Sequence, residues 1–276
     1  MDHYRVAEVD GLSFSYKHTP LFKDLSFSLE RGNIYGLLGK NGAGKSTLLK
    51  LLGGQLFAQG GTLSVMGENP QRRTPSLLGE IFYLSEEFPL PRMKSQQYLA
   101  MLTPFYGRFD HERFAQYAAE FDLDLLQRLD QMSLGQKKKY LLAFGLASNC
   151  RLLIMDEPTN GLDIPSKRQF RQIVASAMSE ERTFVISTHQ VRDMEALIDP
   201  IIILDQGRVI FNEGLDTLTD AYVMDLVSVD PGDDVLYKEK VLGGWMVLRS
   251  RAQGQSGQSL DLETIFNILV EKGGRL

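Results

Sequence analysis

Residues 39–47 read GKNGAGKST, a glycine-spaced loop that ends in a lysine and two hydroxyl residues. The spacing G-x-x-x-x-G-K-[ST] falls on Gly39, Gly44, Lys45 and Ser46. Glycines there let backbone N–H groups turn inward around a phosphate without Cβ clashes. A helix beginning at the end of the loop aims its positive end at the same anion. Lys45 supplies a mobile charge for the β- and γ-phosphates, and the Ser46 hydroxyl can ligate Mg²⁺. Asn41, Gly42, Ala43 and Thr47 complete the expected cradle. A second pair able to do chemistry lies far along the chain. Asp156-Glu157 follows the apolar run 152–155. Carboxylates at the C-terminal end of a buried strand stand where α/β sheets bind ligands. Asp156 would hold Mg²⁺ through water, and Glu157 would orient and polarise an attacking water. An isolated Asp-Glu pair is more often a solvated loop. The apolar run before it and the phosphate loop upstream favour the chemical reading.

These residues need elements to hold them. The apolar run 34–38 leads into the loop as a strand, and 47–52 leaves it as a helix. Residues 6–9, 12–16, 25–29 and 62–65 read as short strands, as does 81–84, which runs into a loop at 85–91. Residues 95–105 and 111–121 space apolar side chains three and four apart, as helices do, and 134–148 continues as a helix up to Asn149. From 152 onward, strands at 152–155, 184–187 and 201–204 alternate with helices at 164–178 and 191–197. Such alternation predicts a parallel sheet with helices on both faces, interrupted by a helical insert over about 90–145. Residues 221–276 change texture. They carry an Asp/Gly-rich turn at 231–234, a Gly/Gln/Ser stretch at 254–259 and an amphipathic helix over 262–270. That helix presents Leu262, Ile265, Phe266 and Leu269 as a stripe, buried either on its own chain or against a partner. The expected division is a main unit over 1–220 and a small accessory region over 221–276.

Composition narrows the class. The formal net charge is −5, and no Lys/Arg block is long enough to form a nucleic-acid footprint, so no nucleic-acid partner is expected. The triple lysine at 137–139 reads as a helix face rather than as a reader of a phosphate backbone. A single cysteine, Cys150, cannot form an internal disulfide, which fits a reducing compartment. The first residues lack the apolar segment of a signal peptide. No apolar stretch approaches the roughly 20 residues that span a bilayer, so a membrane role would run through another chain.

Further motifs make the pattern specific. Met132-Ser-Leu-Gly-Gln136 resembles the signature motif, usually LSGGQ, of ATP-binding-cassette (ABC) transporter subunits. Ser133 is placed to cap the following helix, and Gly135 allows close approach of a ligand. Pro158-Thr-Asn-Gly-Leu-Asp163 resembles the family's D-loop, and His189 matches its switch histidine. Tyr16 stands where the family has an aromatic that stacks on adenine; the alternative is a strand aromatic filling core. For His189 the alternative to a γ-phosphate contact is a loop histidine without a role. Tyr83-Leu-Ser-Glu86 puts Glu86 where the family usually has glutamine. A similar Tyr-Leu-x-Glu-Glu, and the runs at 135–139 and 260–266, resemble subunits of bacterial exporters of the ABC-2 kind.

The resemblance covers about residues 1–215. It implies an α/β, P-loop NTPase core with N-terminal antiparallel strands, an inserted helical subdomain and a small C-terminal tail. It implies ATP hydrolysis coupled to transmembrane transport, with ATP and Mg²⁺ as cofactors. Lys45, Glu157 and His189 would be catalytic, and Ser46, Asp156 and Glu86 would face the metal. Tyr16, Gly39, Asn41, Gly42, Ala43, Gly44, Lys45, Ser46 and Thr47 would hold nucleotide. Ser133, Gly135, Gln136 and Asp163 would complete the site when a second cassette, identical or not, packs head to tail. The expected partners are that cassette and an integral-membrane permease, which would hold a cytoplasmic subunit at the inner face of the cell membrane. The alternative is a cassette ATPase that acts on the ribosome or DNA.

Overall fold

The computed structural model describes residues 5–232, 235–251 and 261–274. The Gly/Gln/Ser stretch at 254–259 and part of the turn at 231–234 lie outside the described residues. Strand β1 (Arg5–Tyr16) pairs antiparallel with β2 (Thr19–Glu30). The two short strands read at 6–9 and 12–16 are one, because a register shift between Val9 and Leu12 keeps the chain paired across Gly11. β2 begins at Thr19 rather than near residue 25. Pro20, Lys23 and Asp24 hide its strand character in the sequence, and pairing with β1 supplies it.

The chain continues through β3 (Ile34–Leu38), α1 (Lys45–Leu52) and β4 (Gly60–Val65), then a short α2 (Pro75–Leu78) and β5 (Ile81–Leu84). Helices α3 (Ser95–Leu102), α4 (His111–Glu120) and α5 (Leu134–Ala147) follow. Then come β6 (Leu152–Asp156), α6 (Ile164–Ser176), β7 (Thr183–Thr188), α7 (Val191–Met194), β8 (Ile201–Asp205) and β9 (Arg208–Glu213). The last segment holds α8 (Leu215–Ala221), β10 (Tyr222–Val227), β11 (Tyr237–Val241), β12 (Gly244–Ser250) and α9 (Leu262–Glu271).

The central sheet has the order β5-β6-β7-β3-β8-β9. Its first five strands are parallel, and β9 is antiparallel to β8. The sheet is therefore mixed, a correction to the all-parallel expectation. β9 is entered by a two-residue turn at Gln206-Gly207, with φ of 45° and 74°, the conformation that tight hairpins need. Gly207 is required there, since a Cβ would fall 1.8 Å from the Leu21 carbonyl oxygen. The N-terminal sheet, ordered β2-β1-β4, covers one face of the central sheet. On the buried strand β6 alternate residues divide between two cores, as the period of two requires. Leu152 and Ile154 join α1 and the N-terminal strands, while Leu153 and Met155 join α5 and α6.

The tail is a three-stranded sheet, β10-β12-β11, followed by α9. α9 packs against α7, β8 and β9 of its own chain. Leu262, Ile265, Ile268 and Leu269 are buried there, so Ile268 replaces the expected Phe266, which is only partly covered. The Leu262 N–H donates to Glu195 Oε1 at 2.8 Å. Because α9 seals the same core that carries β8, Leu269→Ala should lower the stability of the whole cassette by about 2–5 kcal/mol. Urea unfolding followed by fluorescence checks this. A cost below about 1 kcal/mol would mean that α9 leaves the core before the rest unfolds.

Cys150 is a packing residue. It is buried, and burial pushes its thiol up to about 12. Among the described residues no helix is long and apolar enough to cross a membrane.

Candidate nucleotide site

The site is built on strand ends. β3 is buried along its whole length, and the chain leaves it directly into the glycine-rich loop. Gly44 caps α1 with φ 106°, and a Cβ there would meet a Phe22 ring carbon at 2.8 Å. The early part of β2 thus fixes the floor under the loop. Lys45 is 7% exposed. Its Nζ donates to the carbonyl oxygens of Gly39 at 2.7 Å and Lys40 at 3.3 Å. Burial lowers the pKa of Lys45, and the carboxylates of Glu157, Asp156 and Glu86 oppose that shift.

A cleft of about 420 Å³ collects residues that are far apart in the sequence. Asn41, Gly42, Gly44, Lys45, Ser46 and Thr47 line it with Tyr16, Leu21, Glu86 and Glu157. Tyr16 is 47% exposed, so it does not fill core. Its hydroxyl lies 3.2 Å from Thr47 Oγ1, and its ring meets Phe14 edge-on at 5.0 Å. Gly39 contributes its carbonyl to Lys45, and Ala43 is buried behind the loop.

Asp156 ends β6 and is buried, with Oδ1 accepting a hydrogen bond from Ser187 Oγ on β7. Glu157 follows with φ 49°, a left-handed conformation that non-glycine residues adopt mainly where surrounding structure imposes it. Its N–H donates to Ser187 Oγ at 3.0 Å. Glu157 Oε1 lies 2.9 Å from His189 Nδ1. Glu157 Oε2 is buried without a hydrogen-bond partner. A buried carboxylate oxygen left open is energetically unfavourable unless a water or ligand meets it. Glu86 lines the same cleft and accepts a hydrogen bond from Asn160 Nδ2 at 3.0 Å.

The remaining expected residues lie outside the cleft. Ser133 caps α5, accepting from the Gln136 N–H at 3.2 Å, while Gln136 Oε1 accepts from the Ser133 N–H at 2.9 Å. Gly135 lies beside Gly161, whose carbonyl oxygen would be 3.5 Å from a Cβ on Gly135. Asp163 caps α6 by accepting from the Ser166 N–H at 2.9 Å. Leu134 and Ile164, next to these caps, are 64% and 84% exposed. The chain brings phosphate loop, Asp156, Glu157, Glu86 and His189 together, and turns the signature segment and Asp163 outward.

The lysines at 137–139 lie on α5, as read, but Lys138 is buried, and its Nζ donates to the carbonyl oxygens of Glu157 at 3.0 Å and Asn160 at 2.8 Å. The helix turns this one lysine inward while its neighbours stay partly exposed. Ser187 and Asn160 were also missed. Ser187 has no signal beyond its place near the end of an apolar strand. Asn160 sits inside the D-loop-like run and could have been found from it.

Known proteins are similar to this chain. A family model described as "ABC transporter" matches residues 22–160. The chain belongs to the ABC transporter family. The lantibiotic transport ATP-binding protein SrtF of Streptococcus pyogenes is 30% identical over 212 residues, covering 76% of this chain and 91% of that protein. The Nod factor export ATP-binding protein I of Mesorhizobium japonicum is 28% identical over 236 residues, covering 80% of this chain and 68% of that protein. A solved structure described as the ATP-binding subunit of an ABC transporter superposes with a TM-score of 0.69 at 26% identity, covering 77% of this chain and 91% of that one. The protein is an ABC ATP-binding subunit, an ATPase of a transporter, with the expected α/β cassette fold. These relatives are transport proteins, which favours transport over the ribosome- or DNA-acting alternative.

Proposed function

We propose that this cassette powers an exporter, with residues 1–220 as the catalytic unit and 221–276 as an accessory region that completes its core. The observation that carries the mechanism is the divided carboxylate of Glu157: one oxygen beside His189, the other buried and open. Lys45 and the loop N–H groups hold the β- and γ-phosphates of ATP. Tyr16 stacks on the base at the cleft mouth. His189 fixes Glu157, and Glu157 Oε2 orients a water for attack on the γ-phosphate and accepts its proton. Ser46, Asp156 and Glu86 are hard oxygen donors suited to Mg²⁺. Bound Mg²⁺ would neutralise charge on the β- and γ-phosphates. Export as the direction rests on the resemblance of the 83–87 and 260–266 segments to ABC-2 subunits and on relatives named for export.

Ser133, Gly135, Gln136 and Asp163 would serve the site of a second cassette, since they do not line the cleft of their own chain. The exposed Leu134 and Ile164 beside them supply apolar surface for that contact. A membrane permease would engage the loop at 86–91 and the helical segment, holding the cassette at the inner face of the cell membrane. Glu157→Gln is therefore expected to be a monomer without nucleotide and a dimer in saturating Mg-ATP. Light scattering decides this. A monomer with nucleotide shown to be bound would remove the shared site for two copies of this chain.

A further inference from the structure

Lys138 is the one lysine of its cluster drawn inside the protein, at 2% exposure. It stands in the second turn of α5, the helix that opens with Ser133 and Gly135. Its Nζ reaches three parts of the site at once. It donates to the main-chain oxygen of Glu157 at 3.0 Å and of Asn160 at 2.8 Å. It also lies 5.8 Å from the centroid of the Phe88 ring, in the loop that follows Glu86. Asn160 closes the circuit, because its Nδ2 donates to Glu86 Oε1 at 3.0 Å. One ammonium thus ties the turn at 157–160 to the 86–88 loop.

Two carbonyl oxygens could be bridged by a neutral amide or by water. A buried ammonium is a heavy penalty for that task alone, because desolvation of a charge outweighs ordinary hydrogen bonding. Burial does lower the pKa of Lys138, and the carboxylates of Glu86, Glu157 and Asp156, in that order, oppose the shift. The charge is matched to this acidic group. Glu157 has a left-handed backbone with φ 49°, and the Lys138 bond to its carbonyl is one of the restraints on that backbone.

We propose that Lys138 is a positioning residue for ATP hydrolysis, holding the Glu157–Asn160 turn in register with the Glu86–Phe88 loop. It does not line the cleft and acts through Glu157. Displacement of the 86–88 loop would be passed to Glu157 through this ammonium and Asn160. The inference rests on the reading of Glu157 as the carboxylate that orients water.

The test compares wild type, K138M, E86Q and E86Q/K138M as full chains, together with E157Q. Three quantities are read: ATP affinity by calorimetry, single-turnover hydrolysis of bound Mg-ATP, and the thermal midpoint without nucleotide. K138M is expected to lose roughly tenfold or more in rate while the ATP Kd stays within about threefold. Removing the opposing charge in E86Q/K138M should recover at least about threefold of that loss, a non-additivity expected of coupled neighbours. The proposal is overturned if K138M keeps its rate within about threefold, if ATP affinity and rate are lost together, so that Kd rises as the rate falls, or if the E86Q and K138M losses simply add. Should K138M not unfold cooperatively, K138Q takes its place under the same limits. E157Q separates the two readings: wild-type turnover in E157Q removes the catalytic assignment, whereas a normal K138M beside an inactive E157Q removes only the role of Lys138.

Discussion

Glu157→Gln should stop turnover and leave ATP bound. The amide has nearly the shape of the carboxylate, so the contact with His189 and the turn held by Ser187 can persist. It cannot accept a proton from water, and it removes one negative charge from a site that also holds Asp156 and Glu86. Positioned acid–base groups contribute roughly 10²–10⁴-fold to rate, so a loss of at least about a hundredfold in kcat is expected, with the ATP Kd unchanged or lower. Phosphate release and calorimetry measure the two quantities on one preparation. Turnover at the wild-type rate would remove Glu157 from the chemistry.

Lys45→Ala should weaken binding as well as rate. The Lys45 ammonium is buried, anchored on the Gly39 and Lys40 carbonyl oxygens, and surrounded by Glu157, Asp156 and Glu86. Without it a polyphosphate would enter a cleft lined by Glu86 and Glu157, with Asp156 nearby and no lysine among its lining residues. Hydrogen bonds to charged groups are worth about 1.5–3 kcal/mol, which corresponds to roughly ten- to a hundredfold in Kd. The helix N-terminus remains, so some affinity should survive. The two variants are thus expected to differ in kind: Lys45→Ala raises Kd, and Glu157→Gln does not. An unchanged Kd in Lys45→Ala would show that backbone groups alone hold the phosphates.

Much of this was legible because several elements carry their instructions locally. The phosphate loop needs glycine at φ values other residues resist, followed by lysine and serine at fixed places, and those residues stand in order at 39–47. The apolar runs at 34–38, 152–155, 184–187 and 201–204 are buried on both faces and became the parallel strands. Ser133 with Gln136 forms a capping box, a purely local device. Helix α9 shows the limit: its apolar stripe was readable, but whether Phe266 or Ile268 faced inward depended on the packing of α7 and β8.

The chain by itself determined that there would be a phosphate loop, a carboxylate pair at a strand end and an α/β core to hold them. These follow from local backbone geometry and from hydrophobic period. Only the tertiary structure decided what surrounds them. The first half of β2 lacks a strand pattern, yet its Phe22 lies under Gly44, because pairing with β1 supplies order that propensity does not. β9 reversed direction at the sheet edge, where burial is incomplete and hydrophobic patterning weak. Lys138 was legible only as part of a helix face; it is buried because carbonyl oxygens and carboxylates that could receive its ammonium come from residues 86, 156, 157 and 160, brought together only by folding. A charge carries no mark of its burial in one-dimensional sequence; the groups that compensate it do, and they are distant along the chain.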